Sequence, residues 1–243
     1  MTDWPEGVGR HVLAEVGSTM VEARSLAANA PLWLLARKQT AARGRRGRAW
    51  EMPDGNFAAT IVMRPQGPVS DWALRSFTMS LALREAVDAL TGRGDILSLK
   101  WPNDVLCQGR KLVGILLESD GEALCIGVGV NLVAAPANDT LEETALPAIA
   151  LQEATGQRIP PEALLDALAA AFARWEAILV EEGFEAVRAA WLSHATGLDR
   201  PVTARMPGRT VAGRFEGIDG NGAIVLDTGA GRVTLAAADI HFA

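Results

Sequence analysis

Apolar positions follow two regimes along this chain, and the change comes near residue 197. Leu32 to Arg37 and Phe57 to Met63 are nearly unbroken apolar runs of strand length, which predicts two buried strands, the second stopped by Pro65. Upstream, Thr19 and Glu22 have the spacing of a capping box for a helix running to about Asn29. Ser70 can cap a helix reaching about Leu90, with Leu74, Phe77, Leu81 and Leu90 able to face a core. Short strands are expected at Ile96 to Trp101 and Val105 to Cys107, on either side of a Pro102-Asn103-Asp104 turn. Gln108-Gly109 then turns the chain into Lys111 to Glu118, and Ala123 to Val133 forms a further, glycine-weakened strand. Leu164, Leu168, Phe172, Trp175 and Leu179 mark an amphipathic helix from Glu162 that can end at Gly183, with a second helix over Phe184 to Ser193. Beyond Gly197 the texture becomes short β segments: Val202 to Arg205, Thr210 to Phe215, Ile224 to Leu226 and Arg232 to Leu235. The expected fold class is α/β (α+β): a mixed sheet flanked by helices over 1–196, then a small β-barrel over 197–243. A barrel this short has marginal stability alone and should dock on the larger domain.

Composition narrows the chemistry mainly by exclusion. A formal net charge of −6 over 243 residues argues against general nucleic-acid binding, which neutralises phosphate with an overall basic face. The two cysteines, Cys107 and Cys125, sit in apolar strand-like settings, and His11, His194 and His241 are scattered. Neither a disulfide framework nor a zinc site is supported. The start lacks a basic region followed by an apolar core, and no apolar run reaches the ~18 residues of a membrane span. The chain therefore reads as cytoplasmic, with no membrane partner.

Against the acidic balance, Gln39 to Trp50 (QTAARGRRGRAW) sets four arginines on a glycine-punctuated loop, and no acidic residue lies between Ala23 and Trp50. Alone, such a run fits a solvated basic face or a nucleic-acid patch. It equally fits an anionic small ligand, because guanidinium groups grip phosphate or carboxylate through paired hydrogen bonds while glycine lets the backbone approach. Three more segments follow in order: KWPNDV from Lys100 to Val105, GRKLVGILLE from Gly109 to Glu118, and GVGVN from Gly127 to Asn131. The last fails as a dinucleotide fingerprint because Leu132 occupies the third glycine position, and a Walker loop is absent.

Taken in series, the four segments resemble the biotin protein ligase family, and the resemblance spans roughly Gly17 to Asn131. It implies a class II synthetase-like catalytic domain followed by an SH3-like barrel. It also implies a two-step reaction: the biotin carboxylate attacks the α-phosphate of ATP, and a lysine of an acceptor then attacks the mixed anhydride. By the same resemblance Ser18 and Thr19 belong to the biotin pocket, although standing alone they read as helix-cap residues. Met20 occupies the place that usually holds asparagine, and Ala42 stands where a glycine usually precedes the first arginine.

Gln39, Arg43, Gly44 and Arg45 are expected on the biotin and acyl-phosphate side, with Trp50 offering a face to adenine. Arg46 and Arg48 either contact phosphates or remain exposed. Arg45 and Lys111 are the candidate cations for charge developing on the phosphorus oxygens. Asn103 would bond the nucleotide, and Asp104 would sit near Mg²⁺ or the incoming amine. Gly114 and Gly127 would thin the pocket walls, and Asn131 would reach the nucleotide. The expected partner is a biotin carboxyl carrier domain, with a homodimer possible through a sheet edge.

Three other readings compete. Lipoate ligases and octanoyl transferases share the fold and acylate a lysine, but the arginine loop together with KWPND favours biotin. A repressor of this family carries a helix-turn-helix ahead of the catalytic domain, and the residues before Ser18 are too few for one. A non-catalytic biotin binder would not need the arginines, Asp104 and Lys111 as one set.

Overall fold

The computed structural model describes residues 4–44, 47, 50–136 and 146–242. Strands β1 (Gly9–Leu13), β2 (Leu32–Ala36), β3 (Phe57–Met63), β4 (Leu97–Lys100), β5 (Asp104–Cys107), β6 (Arg110–Ser119) and β7 (Leu124–Val130) form one sheet. Its order is β1-β2-β3-β7-β6-β5-β4, with β1 parallel to β2 and every other pair antiparallel. Strands β2 and β3 are buried along their whole length, as their continuous apolar runs require. β1 carries no such signal: GRHVL is a half-exposed edge strand whose pairing, not its composition, makes it a strand.

Helices α1 (Thr19–Ser25), α2 (Arg75–Thr91), α3 (Leu151–Thr155), α4 (Pro161–Glu181) and α5 (Phe184–Leu192) flank this sheet. Phe77 meets Phe184 and Trp191 edge-on at centroid distances of 5.2 and 5.4 Å, joining α2 to α5. Trp33 meets Phe172 at 6.0 Å, joining the sheet to α4. Between α2 and α4 lies a buried ion pair, Arg75 Nη2 to Glu176 Oε1 at 2.5 Å. Burial pushes the Glu176 carboxyl above the ordinary carboxylate range, and the guanidinium only partly opposes it.

Two helix starts differ from expectation. Residues 69–74 form a 3-10 turn and α2 begins only at Arg75, because Ser70 turns its hydroxyl to Asp71 instead of capping. α1 stops at Ser25, and a separate 3-10 turn covers Ala27–Asn29 before Pro31, which cannot continue a helix. The short α3 was not expected at all.

After α5 a second sheet follows: β8 (Pro201–Met206), β9 (Arg209–Ile218), β10 (Ile224–Asp227), β11 (Arg232–Leu235) and β12 (Asp239–Phe242). All its pairs are antiparallel, in the order β11-β10-β9-β8-β12, consistent with a small SH3-like domain. Four of these strands match the expected segments and β12 is additional. The sheet is fastened to the first body by Trp101 Nε1, which donates to the Gly222 carbonyl at 2.9 Å, and by Arg188 Nη1 on the Ile218 carbonyl at 2.8 Å. A methyl at Gly222 would fall 2.7 Å from the Phe77 ring, so the glycine permits that close approach.

Candidate active site

Strand register builds the floor of a cavity from small residues. Ala58 on β3 pairs with Gly129 on β7, Gly129 with Gly114 on β6, and Gly114 with Asp104 on β5. One pleat further on, Thr60, Gly127 and Leu116 form the adjacent row. Because alternate residues share a face, the two glycines of β7 and Gly114 open a trough on one side of the sheet. The cavity above it has a volume of about 480 Å³.

Polar groups close one end. Ser18 precedes α1 in extended conformation without a capping side-chain bond, so the proposed capping box does not form. Thr19 instead donates through its backbone N–H and its hydroxyl to Gln39 Oε1, at 2.7 and 3.0 Å, while Thr60 donates to the Thr19 hydroxyl at 2.9 Å. The register of Gln39 is held by the backbone, since Val16 and Thr40 exchange ladder bonds with Lys38 and Val16. Among the described residues, Gln39 Nε2 meets the Met52 sulfur alone, at 3.8 Å, a weak acceptor that leaves the donor available to a better one.

The indole of Trp50 covers the trough. Trp50 donates from its backbone to the Ala42 carbonyl at 3.2 Å and lays its indole over Gly114 and Gly129. Lys111 Nζ stands 5.9 Å from that ring's centroid and 2.7 Å from Asp104 Oδ1. Lys100 Nζ approaches the other Asp104 oxygen at 3.8 Å, so two cations flank one carboxylate. Asp104 was expected in the turn; it is the first residue of β5, paired with Lys100 across the hairpin. Its side chain is therefore fixed by a strand. Lys111 is pinned by backbone bonds from Lys111 N to the Pro147 carbonyl and from Ile149 N to its own carbonyl, at 2.8 and 3.0 Å. Asn103 donates its side-chain N–H to the Ile115 carbonyl. Asn131, 1% exposed, borders the cavity, and its Oδ1 has no hydrogen-bond partner among the described residues.

Ser18, Thr19, Gln39, Arg43, Gly44, Trp50, Asn103, Asp104, Lys111, Gly114, Gly127 and Asn131 all line this one cavity. Arg45 and Arg48 lie outside the described residues. The sequence reading missed Lys100 and Gly129, although Gly129 follows Gly127 by one strand repeat and shares its face. It also missed Ala238, Asp239, Ile240 and His241, which reach the cavity only because the second sheet docks beside it. Neither cysteine lines it, and burial raises both thiols above their ordinary range. Among the described residues, no group of three or more His, Cys, Asp and Glu could hold a metal ion, and no helix is long and apolar enough to cross a membrane.

Residues 14–131 match the biotin/lipoate A/B protein ligase family, and residues 197–242 match the biotin protein ligase C terminal domain. The chain belongs to the biotin protein ligase family. It is 47% identical to a biotin--[acetyl-CoA-carboxylase] ligase of Paracoccus denitrificans, over 95% of this chain and 99% of that protein. It is 32% identical to the bifunctional ligase/repressor BirA of Bacillus subtilis, over 97% of this chain and 75% of that one. Its fold is that of the Aquifex aeolicus biotin protein ligase solved with biotin and ATP, with a TM-score of 0.85 at 24% identity over 97% of this chain and 99% of that one.

Proposed function

We propose that this chain is an ATP-dependent biotin ligase, forming biotinyl-5′-AMP and then transferring biotin to a lysine of a carrier domain. The observation that carries the reading is the position of Lys111, fixed between Asp104 and the Trp50 indole in a cavity that also holds the Thr60-Thr19-Gln39 hydrogen-bond chain. A ring system with N–H and C=O groups suits the polar end, where Gln39 Nε2 can leave a thioether for a carbonyl. The apolar floor suits an acyl chain. An adenine stacks on Trp50 and offers an amino N–H to the orphaned Asn131 Oδ1. The carboxylate then meets the α-phosphate beside Lys111.

In the first step the carboxylate oxygen bonds to the α-phosphorus and the bond to pyrophosphate breaks. Lys111 stabilises the negative charge gathering on the phosphorus oxygens, and Arg45 is the second candidate cation. In the second step an acceptor amine attacks the acyl carbon and AMP leaves. That amine, with an ordinary pKa of about 10.4, must lose a proton, and Asp104 can take it once Lys111 has turned to the phosphate. Mg²⁺ would be held by Asp104 together with phosphate oxygens of ATP, one carboxylate with phosphate being a set that the ion accepts. The ion would spread charge over the phosphates.

The catalytic domain is assigned to 1–196 and the SH3-like domain to 197–243. The acceptor is a folded biotin carboxyl carrier domain and the working compartment is the cytoplasm. The outer edge of β4 is bridged by Ala195, whereas β1 leaves the other edge open to a strand of a second copy. Light scattering decides that dimer. The test of activity is mass spectrometry of the chain with biotin and MgATP. Biotinyl-5′-AMP and pyrophosphate should form only when both are present. Pyrophosphate release driven by lipoate or octanoate, and not by biotin, overturns the proposal.

A further inference from the structure

We infer that Met20 sets the size limit for the ring system admitted at the polar end of the cavity, and so excludes biotins enlarged on a ureido nitrogen. The inference deepens the biotin reading and rests on it. Met20 is the second residue of α1, directly after Thr19, and it borders the cavity with only 6% of its surface exposed. Its thioether lies against the floor: a methyl placed on Gly127 would fall 2.7 Å from Met20 Sδ and 3.0 Å from its Cγ. The same methyl would lie 3.6 Å from Thr60 Oγ1, which belongs to the hydrogen-bond chain with Thr19 and Gln39. The clearance beside the polar groups is therefore set by one flexible side chain facing one bare α-carbon.

Met20 has little room to withdraw. Behind it pack Ala23, Leu32, Leu34, Val62 and Cys125, each at most 1% exposed. A close-packed layer of this kind yields poorly, so extra volume on a bound ring must displace the methionine into the cavity or fail to seat. Asparagine at this position would add a polar contact; methionine supplies only bulk and a polarizable sulfur. The selection is steric exclusion of a competitor, not added affinity for biotin.

The experiment measures pyrophosphate release by the full chain with MgATP and either biotin or a biotin carrying one methyl on a ureido nitrogen. In the unsubstituted chain, kcat/KM for the analogue should fall at least ~10²-fold below biotin, within the range a built steric block gives. Met20→Ala should narrow that ratio by ~10-fold or more, chiefly through the KM of the analogue, with the KM for ATP unchanged. Met20→Leu, close in volume, should keep the original ratio. A purely structural role would depress both substrates together and leave the ratio unmoved, which overturns the inference. Should Met20→Ala fold poorly, Gly127→Ala narrows the same clearance from the floor. It should raise the biotin KM ~10-fold with no change for ATP, and an unchanged biotin KM there also overturns it. A chain that releases no pyrophosphate with biotin at all would instead remove the functional reading.

Discussion

Gly129→Ala isolates the contribution of the trough floor. A methyl there would lie 2.5 Å from Trp50 Cε2, 2.6 Å from Nε1 and 2.8 Å from Cζ2. Carbon atoms pack best about 3.5–4.0 Å apart, so the indole must lift by about 1 Å. The backbone itself accepts alanine, because Gly129 lies within β7 and has no left-handed φ. The strain therefore falls on Trp50, whose loop carries it. At Gly114 the nearest indole atom would be 2.9 Å away, so the same substitution demands a smaller shift. If adenine stacks on this indole, a displacement of about 1 Å costs on the order of 10²-fold in kcat/KM for ATP. We expect that loss for Gly129→Ala and a smaller one for Gly114→Ala, with the biotin KM nearly unchanged. Trp50→Phe added to Gly129→Ala should restore part of the ATP term, since the smaller ring clears the methyl. Pyrophosphate release over an ATP titration measures all three. Normal ATP kinetics in Gly129→Ala would refute the claim that the indole works from its seat on the glycine floor.

Lys111→Ala should slow single-turnover adenylation by about 10²-fold or more, because a preorganised cation at the developing charge is lost; a near-normal rate removes its assigned role. Asn131→Leu should raise the KM for ATP by roughly tenfold, the effect of losing about one hydrogen bond to a ligand, while the KM for biotin stays put. Glu176→Ala strands the buried Arg75 guanidinium and should cost about 3–5 kcal/mol in urea unfolding, whereas Arg75→Met with Glu176→Leu should come close to the parent; equal losses in both would argue against the buried pair. Burial, with the Arg84 charge, holds the His194 imidazole below its ordinary pKa, so its contribution is full above about pH 6.5 and is lost as pH falls through the folded value. Stability measured at pH 7.5 and 5.5 should drop across that interval, and His194→Gln should flatten the drop.

What could be read from sequence divides along a physical line. The buried strands β2 and β3 and the long helix α4 announced themselves because their inward faces are apolar almost throughout, with Thr60 of β3 a buried polar exception, and that is a local property. Edge strand β1 and strand β12 have no such signature: each is a strand because a neighbour offers it a ladder, and that neighbour lies far along the chain. The site divides in the same way. Gln39, Trp50, Asp104 and Lys111 were legible as site residues through the family resemblance; taken singly, Trp50 reads as core, Asp104 as part of a turn and Lys111 as an edge or snorkelling lysine. That Thr19 bonds Gln39 instead of capping its own helix is a decision between two equally local options, taken by the Val16 and Gln39 bridge that brings the loop alongside. The second sheet's share of the cavity wall is the extreme case. Asp239 and His241 reach the site only through the docking held in part by Trp101 and Gly222, so Gly222→Ala, whose methyl would fall 2.7 Å from the Phe77 ring, should disturb that part of the cavity wall although Gly222 itself does not line it.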